Sequence, residues 1–122
     1  VDPFHPCRET LVQAASVIQR GGILIYPTET FYGLGGDPFS EFAVKRIYAI
    51  KERDMKKPLP LIADCLESVK RVVQEWPPEA SHLAQEFWPG PLTLILPLGG
   101  PFPSTLHGGS GNIALRVSSH PL

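Results

Sequence analysis

Apolar residues recur three to four positions apart at Leu11, Ala14, Ala15 and Ile18. That spacing follows one helix face and predicts an amphipathic helix over residues 8–20. Gly21-Gly22 stop it. The period then changes. Ile23-Leu24-Ile25-Tyr26 is a continuous apolar run, which reads as a buried strand, and Pro27 ends it and opens a loop through Pro38. Ser40 is placed as an N-cap for a second helix, with Phe39 and Val44 at the positions of a hydrophobic staple. Its inner face is Ala43, Ile47 and Ile50, and Lys51 and Arg53 fall at or just past its end. Pro58 and Pro60 enforce extended backbone, so residues 59–63 read as an edge strand or a strand start.

Asp64, with Glu67 three residues on, resembles a capping box and predicts a helix through about Glu75. Trp76-Pro77-Pro78 breaks it, residues 79–87 form another short helix, and Trp88-Pro89-Gly90-Pro91 is a turn. Residues 92–98 are a continuous apolar run, again a buried strand. Residues 99–111 are a Gly/Pro/Ser loop, and residues 112–117 are a last strand. Strands alternate with helices, so the expected fold class is α/β, a twisted mixed sheet flanked by helices. The loops at 27–39 and 99–111 are longer than ordinary connections, which favours function there.

Composition changes this picture in one respect. The 122 residues include 14 prolines and 11 glycines, so long uninterrupted helices are excluded. Hydrophobic residues make up 43% of the chain, which excludes a disordered linker and allows one domain with a real core. The only methionine is Met55 and the first residue is Val1. The last residue, Leu122, follows closely on a strand-like run. The expectation is a truncated domain over residues 1–122, with its C-terminal part missing.

The net charge is -1, which excludes a globally basic nucleic-acid binder. A local patch remains: six of the 11 basic residues, Lys45, Arg46, Lys51, Arg53, Lys56 and Lys57, fall within residues 45–57 against only Glu52 and Asp54. Two cysteines, Cys7 and Cys65, make no disulfide framework. No apolar run reaches the ~18 residues of a membrane span and no signal peptide is visible, so a cytoplasmic location is expected.

Familiar catalytic constellations are missing. Gly33-Leu34-Gly35-Gly36 follows a strand, but the third glycine of a dinucleotide fingerprint would stand at Pro38. There is no Gly-Lys-Ser/Thr phosphate loop. His5, His82, His107 and His120 lack ligand spacing, so no metal site is predicted. Three other features carry chemistry. Residues 27–35 leave a buried strand at its C-terminal end, the usual ligand edge of an α/β sheet, and offer Thr28, Thr30 and Tyr32 hydroxyls with the Glu29 carboxylate. Lys51-x-Arg53 followed by Lys56-Lys57 suits a polyphosphate, because Arg forks onto phosphate oxygens and Lys acts as a mobile point charge. The run 108–112 feeds a strand ending in Arg116. Taken singly, these features equally suit a turn, a solvated face and a rim salt bridge.

Their order and spacing tie them together. Pro27-Thr28-Glu29-Thr30-Phe31-Tyr32-Gly33-Leu34-Gly35, Lys51-x-Arg53, Lys57-Pro58-Leu59, Phe87-Trp88-Pro89-Gly90-Pro91-Leu92-Thr93 and Ala114-Leu115-Arg116-Val117 with His120-Pro121 together resemble the YrdC-like family, from about Leu11 to the last residue. The resemblance implies a threonylcarbamoyl-AMP synthase, which joins L-threonine, bicarbonate and ATP and releases pyrophosphate. A tRNA threonylcarbamoyl transferase enzyme then acts downstream. It also implies a positively charged concave surface, and some members were described as double-stranded RNA binders. By the same resemblance Thr30 would bind threonine and Arg116 its carboxylate. Arg53, Lys57 and Asn112 would contact ATP, Lys51 and Arg53 would form the catalytic basic pair, and Mg²⁺ would accompany ATP.

Two departures stand out. Where several members carry a histidine that helps hold threonine, this chain has Ile62. The family's Ser-x-Asn motif lies beyond the His-Pro near this chain's end, so weak activity and an unpaired, self-associating sheet edge are expected. The alternative readings are a double-stranded RNA or tRNA-binding module, and a YrdC-like module of a carbamoyl-transfer hydrogenase maturation protein.

Overall fold

A computed structural model describes Asp2 and residues 4–121. Helix α1 (Arg8–Gln19) leads into strand β1 (Leu24–Tyr26), which pairs antiparallel with β2 (Gly33–Gly35). Helix α2 (Glu41–Ile50) follows, then β3 (Leu61–Ala63), α3 (Leu66–Lys70), α4 (Pro78–Phe87), β4 (Leu94–Pro97), α5 (Ser104–His107) and β5 (Asn112–Val117). The second sheet has the order β3-β5-β4, with β3 parallel and β4 antiparallel to β5. The mixed α/β sheet expected from the sequence is therefore present, and β3 is an edge strand of its sheet.

Strand β5 organises the molecule. Ile113, Leu115 and Val117 are almost fully buried, and each contributes about 1.5–3 kcal/mol by leaving water. The alternate residues Ala114 and Arg116 lie on the other face, as the two-residue strand period requires. Beneath the sheet, Val44, Ile47 and Tyr48 of α2 join Val69, Leu94 and Leu106 in one core. Ser40 caps α2 by accepting a hydrogen bond from the Ala43 amide, at 3.3 Å. Ile50 is not on the inner face: it is 56% exposed, and Tyr48 is buried instead. Phe39 stacks on Phe102, centroids 4.6 Å apart, so its apolar contact is to the residue 99–111 segment.

Further local readings differ from the sequence pattern. The helix expected through Glu75 stops at Lys70, and Cys65 rather than Asp64 is its N-cap. Val73 instead bridges Leu98 and extends the sheet region, because its apolar neighbours are better satisfied there than in a helix exposed to water. The loop 27–39 contains β2, and the loop 99–111 contains α5. β2 was hidden because Gly33 and Gly35 have low strand propensity. They are needed for close approach: a Cβ on Gly33 would lie 2.8 Å from the Tyr26 ring, and one on Gly35 2.6 Å from it.

The Trp88-Pro89-Gly90-Pro91 turn is tied to the end of β5. The Gly90 amide donates to the Val117 carbonyl at 2.8 Å, and the Trp88 indole donates to the Leu92 carbonyl at 2.7 Å. The Trp88–Pro89 peptide is cis. Among the described residues, no helix is long and apolar enough to cross a membrane.

Candidate functional site

A cavity of about 710 Å³ opens between the small β1–β2 sheet, the end of α2 and the outer face of β3 and β5. Thr28, Thr30, Lys51, Ile62, Arg116 and Ser118 are in its lining. It therefore brings together three of the six residues singled out from sequence: Thr30, Lys51 and Arg116. Arg53, Lys57 and Asn112 are outside the lining.

One wall is a network of hydrogen bonds joined by one ion pair. The Thr28 hydroxyl donates to the Phe31 carbonyl at 2.6 Å and accepts from the amides of Thr30 and Phe31, each at 3.2 Å. This turn presents the Thr30 hydroxyl 3.1 Å from that of Thr28. Arg116 Nη1 donates to Thr30 Oγ1 at 3.2 Å and lies 3.5 Å from Glu29 Oε1. Ser118 donates to Glu29 Oε2, and the His120 amide donates to Ser118 Oγ at 3.1 Å. The Arg116 and Glu29 side chains are only 16% and 17% exposed, so their attraction is little screened. Burial pushes the Glu29 carboxyl up, but hydrogen bonds from Ser118 and its own backbone, with the Arg116 charge, hold it below its ordinary value. Burial pushes Tyr26 up, against the pull of Arg116, so this ring stays neutral in the cavity wall.

The basic stretch is built differently. Helix α2 ends in a Schellman turn: the Glu52 amide donates to Ala49 and the Arg53 amide to Tyr48, with Glu52 at φ 47° in the left-handed region. This turn places Lys51 at the C-cap and folds Arg53 back. Arg53 Nε donates to the Lys57 carbonyl at 3.2 Å and Nη2 to the Pro58 carbonyl at 3.0 Å. Tyr48 also donates to the Lys57 carbonyl, at 2.9 Å. Arg53 thus spends two of its five N–H groups on shaping the loop and keeps three for a ligand. Lys51, Lys56 and Lys57 are exposed, and among the described residues none has a carboxylate within 4.0 Å.

Asn112 opens β5, exposed, in register with Pro97. Ser110 ties the preceding turn together, donating to the His107 carbonyl at 2.8 Å and accepting from the Asn112 amide at 3.2 Å. Gly108, at φ 57°, brings this turn against the Lys56 carbonyl, which a Cβ would approach to 2.8 Å. Only glycine combines that backbone with that contact.

Ile62 is in register with Arg116 on the neighbouring strand. The site where several YrdC-like members carry a histidine is therefore an apolar wall beside the guanidinium. Sequence reasoning did not single out Ser118. The signal was present: Ser118 follows Arg116 by two residues, the period of a strand face.

Comparison with known proteins fits this geometry. The sequence model of the Sua5/YciO/YrdC family, described as "Telomere recombination", matches residues 16–122. A threonylcarbamoyl-AMP synthase of Pyrococcus abyssi (strain GE5 / Orsay) is 41% identical over 109 residues, 89% of this chain and 32% of the relative. One of Stutzerimonas stutzeri (strain A1501) is 41% identical over 110 residues, 90% of this chain and 60% of the relative. The crystal structure of P. abyssi Sua5 complexed with L-threonine superposes with a TM-score of 0.91 at 39% identity, over 95% of this chain and 34% of that one. The chain thus spans between about a third and three fifths of the length of these curated relatives. With the fold, the motif order and the match over residues 16–122 in agreement, the chain belongs to the Sua5/YciO/YrdC family.

Proposed function

We propose that this chain forms part of an L-threonylcarbamoyladenylate synthase, a nucleotidyltransferase acting on L-threonine, bicarbonate and ATP. The observation that carries the reading is the juxtaposition, in one cavity, of Arg116 and Thr30 with Lys51. It is supported by curated relatives named threonylcarbamoyl-AMP synthase and by a solved relative described with L-threonine.

The chemistry asks the protein for positioning and charge rather than for a nucleophile. The threonine amine and bicarbonate condense to a carbamate with loss of water. A carbamate oxygen then attacks the α-phosphorus of ATP, the bond to the β-phosphate oxygen breaks, and pyrophosphate leaves. Arg116 would hold the threonine carboxylate and Thr30 its polar groups, while Lys51 and Arg53 would stabilise charge developing on the phosphates, with Lys57 and Asn112 on the nucleotide. Mg²⁺ would arrive with ATP, held by phosphates and water. Among the described residues, no group of three His, Cys, Asp or Glu side chains could hold a metal ion.

The product would serve a cytoplasmic tRNA threonylcarbamoyl transferase. The named relatives favour this reading over an RNA-binding module or a hydrogenase-maturation module. The test is pyrophosphate release by the protein that contains this chain. Release must depend on both threonine and bicarbonate, and Arg53→Ala must abolish most of it. No release, or release undiminished in Arg53→Ala, overturns the reading.

A further inference from the structure

We propose that Glu29, backed by Ser118, is a positioning residue that sets the Arg116 guanidinium for a carboxylate ligand in the cavity; this deepens the reading above and rests on it. Glu29 is not in the cavity lining. It stands beside Arg116, and its partner Ser118 comes from the far end of the chain, 89 residues away. The carboxylate is fixed at both oxygens: Oε2 accepts from Ser118, and Oε1 faces Arg116 Nη1 at 3.5 Å. Oε1 is buried and accepts no hydrogen bond among the described residues. The ion pair with Arg116 is therefore what compensates its removal from water.

A guanidinium is planar and rigid, so holding one edge orients the whole fork. Glu29 and Thr30 both engage Nη1. Among the described residues, no hydrogen bond engages Nε or Nη2 of Arg116. That leaves the Nε–Nη2 edge, the edge suited to a bidentate carboxylate, without a protein partner. A free Arg side chain would have to be ordered at the moment of binding. Ordering it in advance is worth up to about thirtyfold in affinity. Glu29 is outside the cavity lining and faces Arg116, so its effect on a ligand in the cavity passes through Arg116.

The test measures binding of L-threonine, and of L-threonine amide, which lacks the carboxylate, to the whole chain by calorimetry. Glu29→Gln keeps the size and the Ser118 contact but removes the charge that holds Arg116. It should weaken threonine about tenfold to thirtyfold, bring the preference for threonine over its amide close to one, and leave ATP affinity within about twofold. Ser118→Ala should move the same preference in the same direction by a smaller factor, and Ser118→Thr, which keeps the hydroxyl, should restore it. Because Ser118→Ala leaves both charges in place, it serves where Glu29→Gln folds poorly. Wild-type threonine affinity in Glu29→Gln, or equal weakening of threonine and its amide, overturns the positioning role. A wild-type chain with no preference for threonine over its amide overturns the reading beneath it.

Discussion

The two halves of the candidate site, the Arg116 wall of the cavity and the basic stretch at its Lys51 edge, are built on opposite principles. Around Arg116, two charges that are mostly buried lock each other through Thr28, Thr30 and Ser118. Around Lys51, the lysines Lys51, Lys56 and Lys57 are exposed, and among the described residues none has a carboxylate partner. There Arg53 is anchored on the Lys57 and Pro58 carbonyls. The difference matches two kinds of ligand. A small carboxylate with few contacts must be met by groups already in place. A polyphosphate brings several charges and can recruit mobile lysines.

The strongest way to break this comparison is to remove Arg116. Arg116→Ala leaves the Glu29 carboxylate buried without its ion-pair partner, and should cost about 2–4 kcal/mol of folding stability, less than a fully buried pair because some water reaches it. Urea unfolding measures this, and threonine binding should be lost. Lys51→Ala and Lys57→Ala should each change stability by no more than about 0.5 kcal/mol, while weakening ATP.

Next in size is Gly90→Ala. The new Cβ would stand 2.4 Å from the Phe87 carbonyl oxygen, at the buried position of a turn tied to Val117. A loss of about 2–3 kcal/mol is expected, with weakened threonine binding, because Arg116 sits one residue before Val117.

Acidity separates the halves in another way. The Glu29 carboxyl titrates below its ordinary value of 4.5 in the folded chain. Its contribution is therefore complete above the unfolded value and is lost as pH falls through the lower folded one. The groups facing it are Arg116, Ser118 and the backbone of Ser119. Unfolding curves of wild type and Glu29→Gln should differ most above about pH 5 and converge in acid. The smallest effect sharpens the account of the basic half: Glu52→Gly relieves a left-handed backbone and should gain roughly 0.5 kcal/mol, read as a rise in Tm.

Both halves are legible in the sequence only in parts: Lys51 and Arg53 stand out as a cationic pair, while the fold-back of Arg53 does not. Strand β5 was visible over residues 112–117 because its buried alternate positions are strongly apolar. The Ser40 cap was visible because capping is local chemistry. Strand β2 was not, since Gly33 and Gly35 answer to the Tyr26 ring and not to strand propensity. The helix past Lys70 failed for a related reason, as Val73 is claimed by Leu98 on another segment. Thr30 and Arg116 were singled out from motifs, but their 3.2 Å contact joins residues 86 apart, which no local pattern contains. The anchoring role of Arg53 was likewise invisible, because it depends on the backward turn at Glu52.

One measurement bears most directly on the proposed contrast between a preassembled carboxylate site and an exposed phosphate site. L-Threonine and ATP are titrated separately into the whole chain at about 0.05 M and about 0.5 M salt, conditions that shorten the screening length severalfold. The account predicts that threonine affinity changes by less than about threefold while ATP affinity falls by tenfold or more. Threonine and ATP weakening in parallel, or a chain that binds no threonine at either salt, would contradict it.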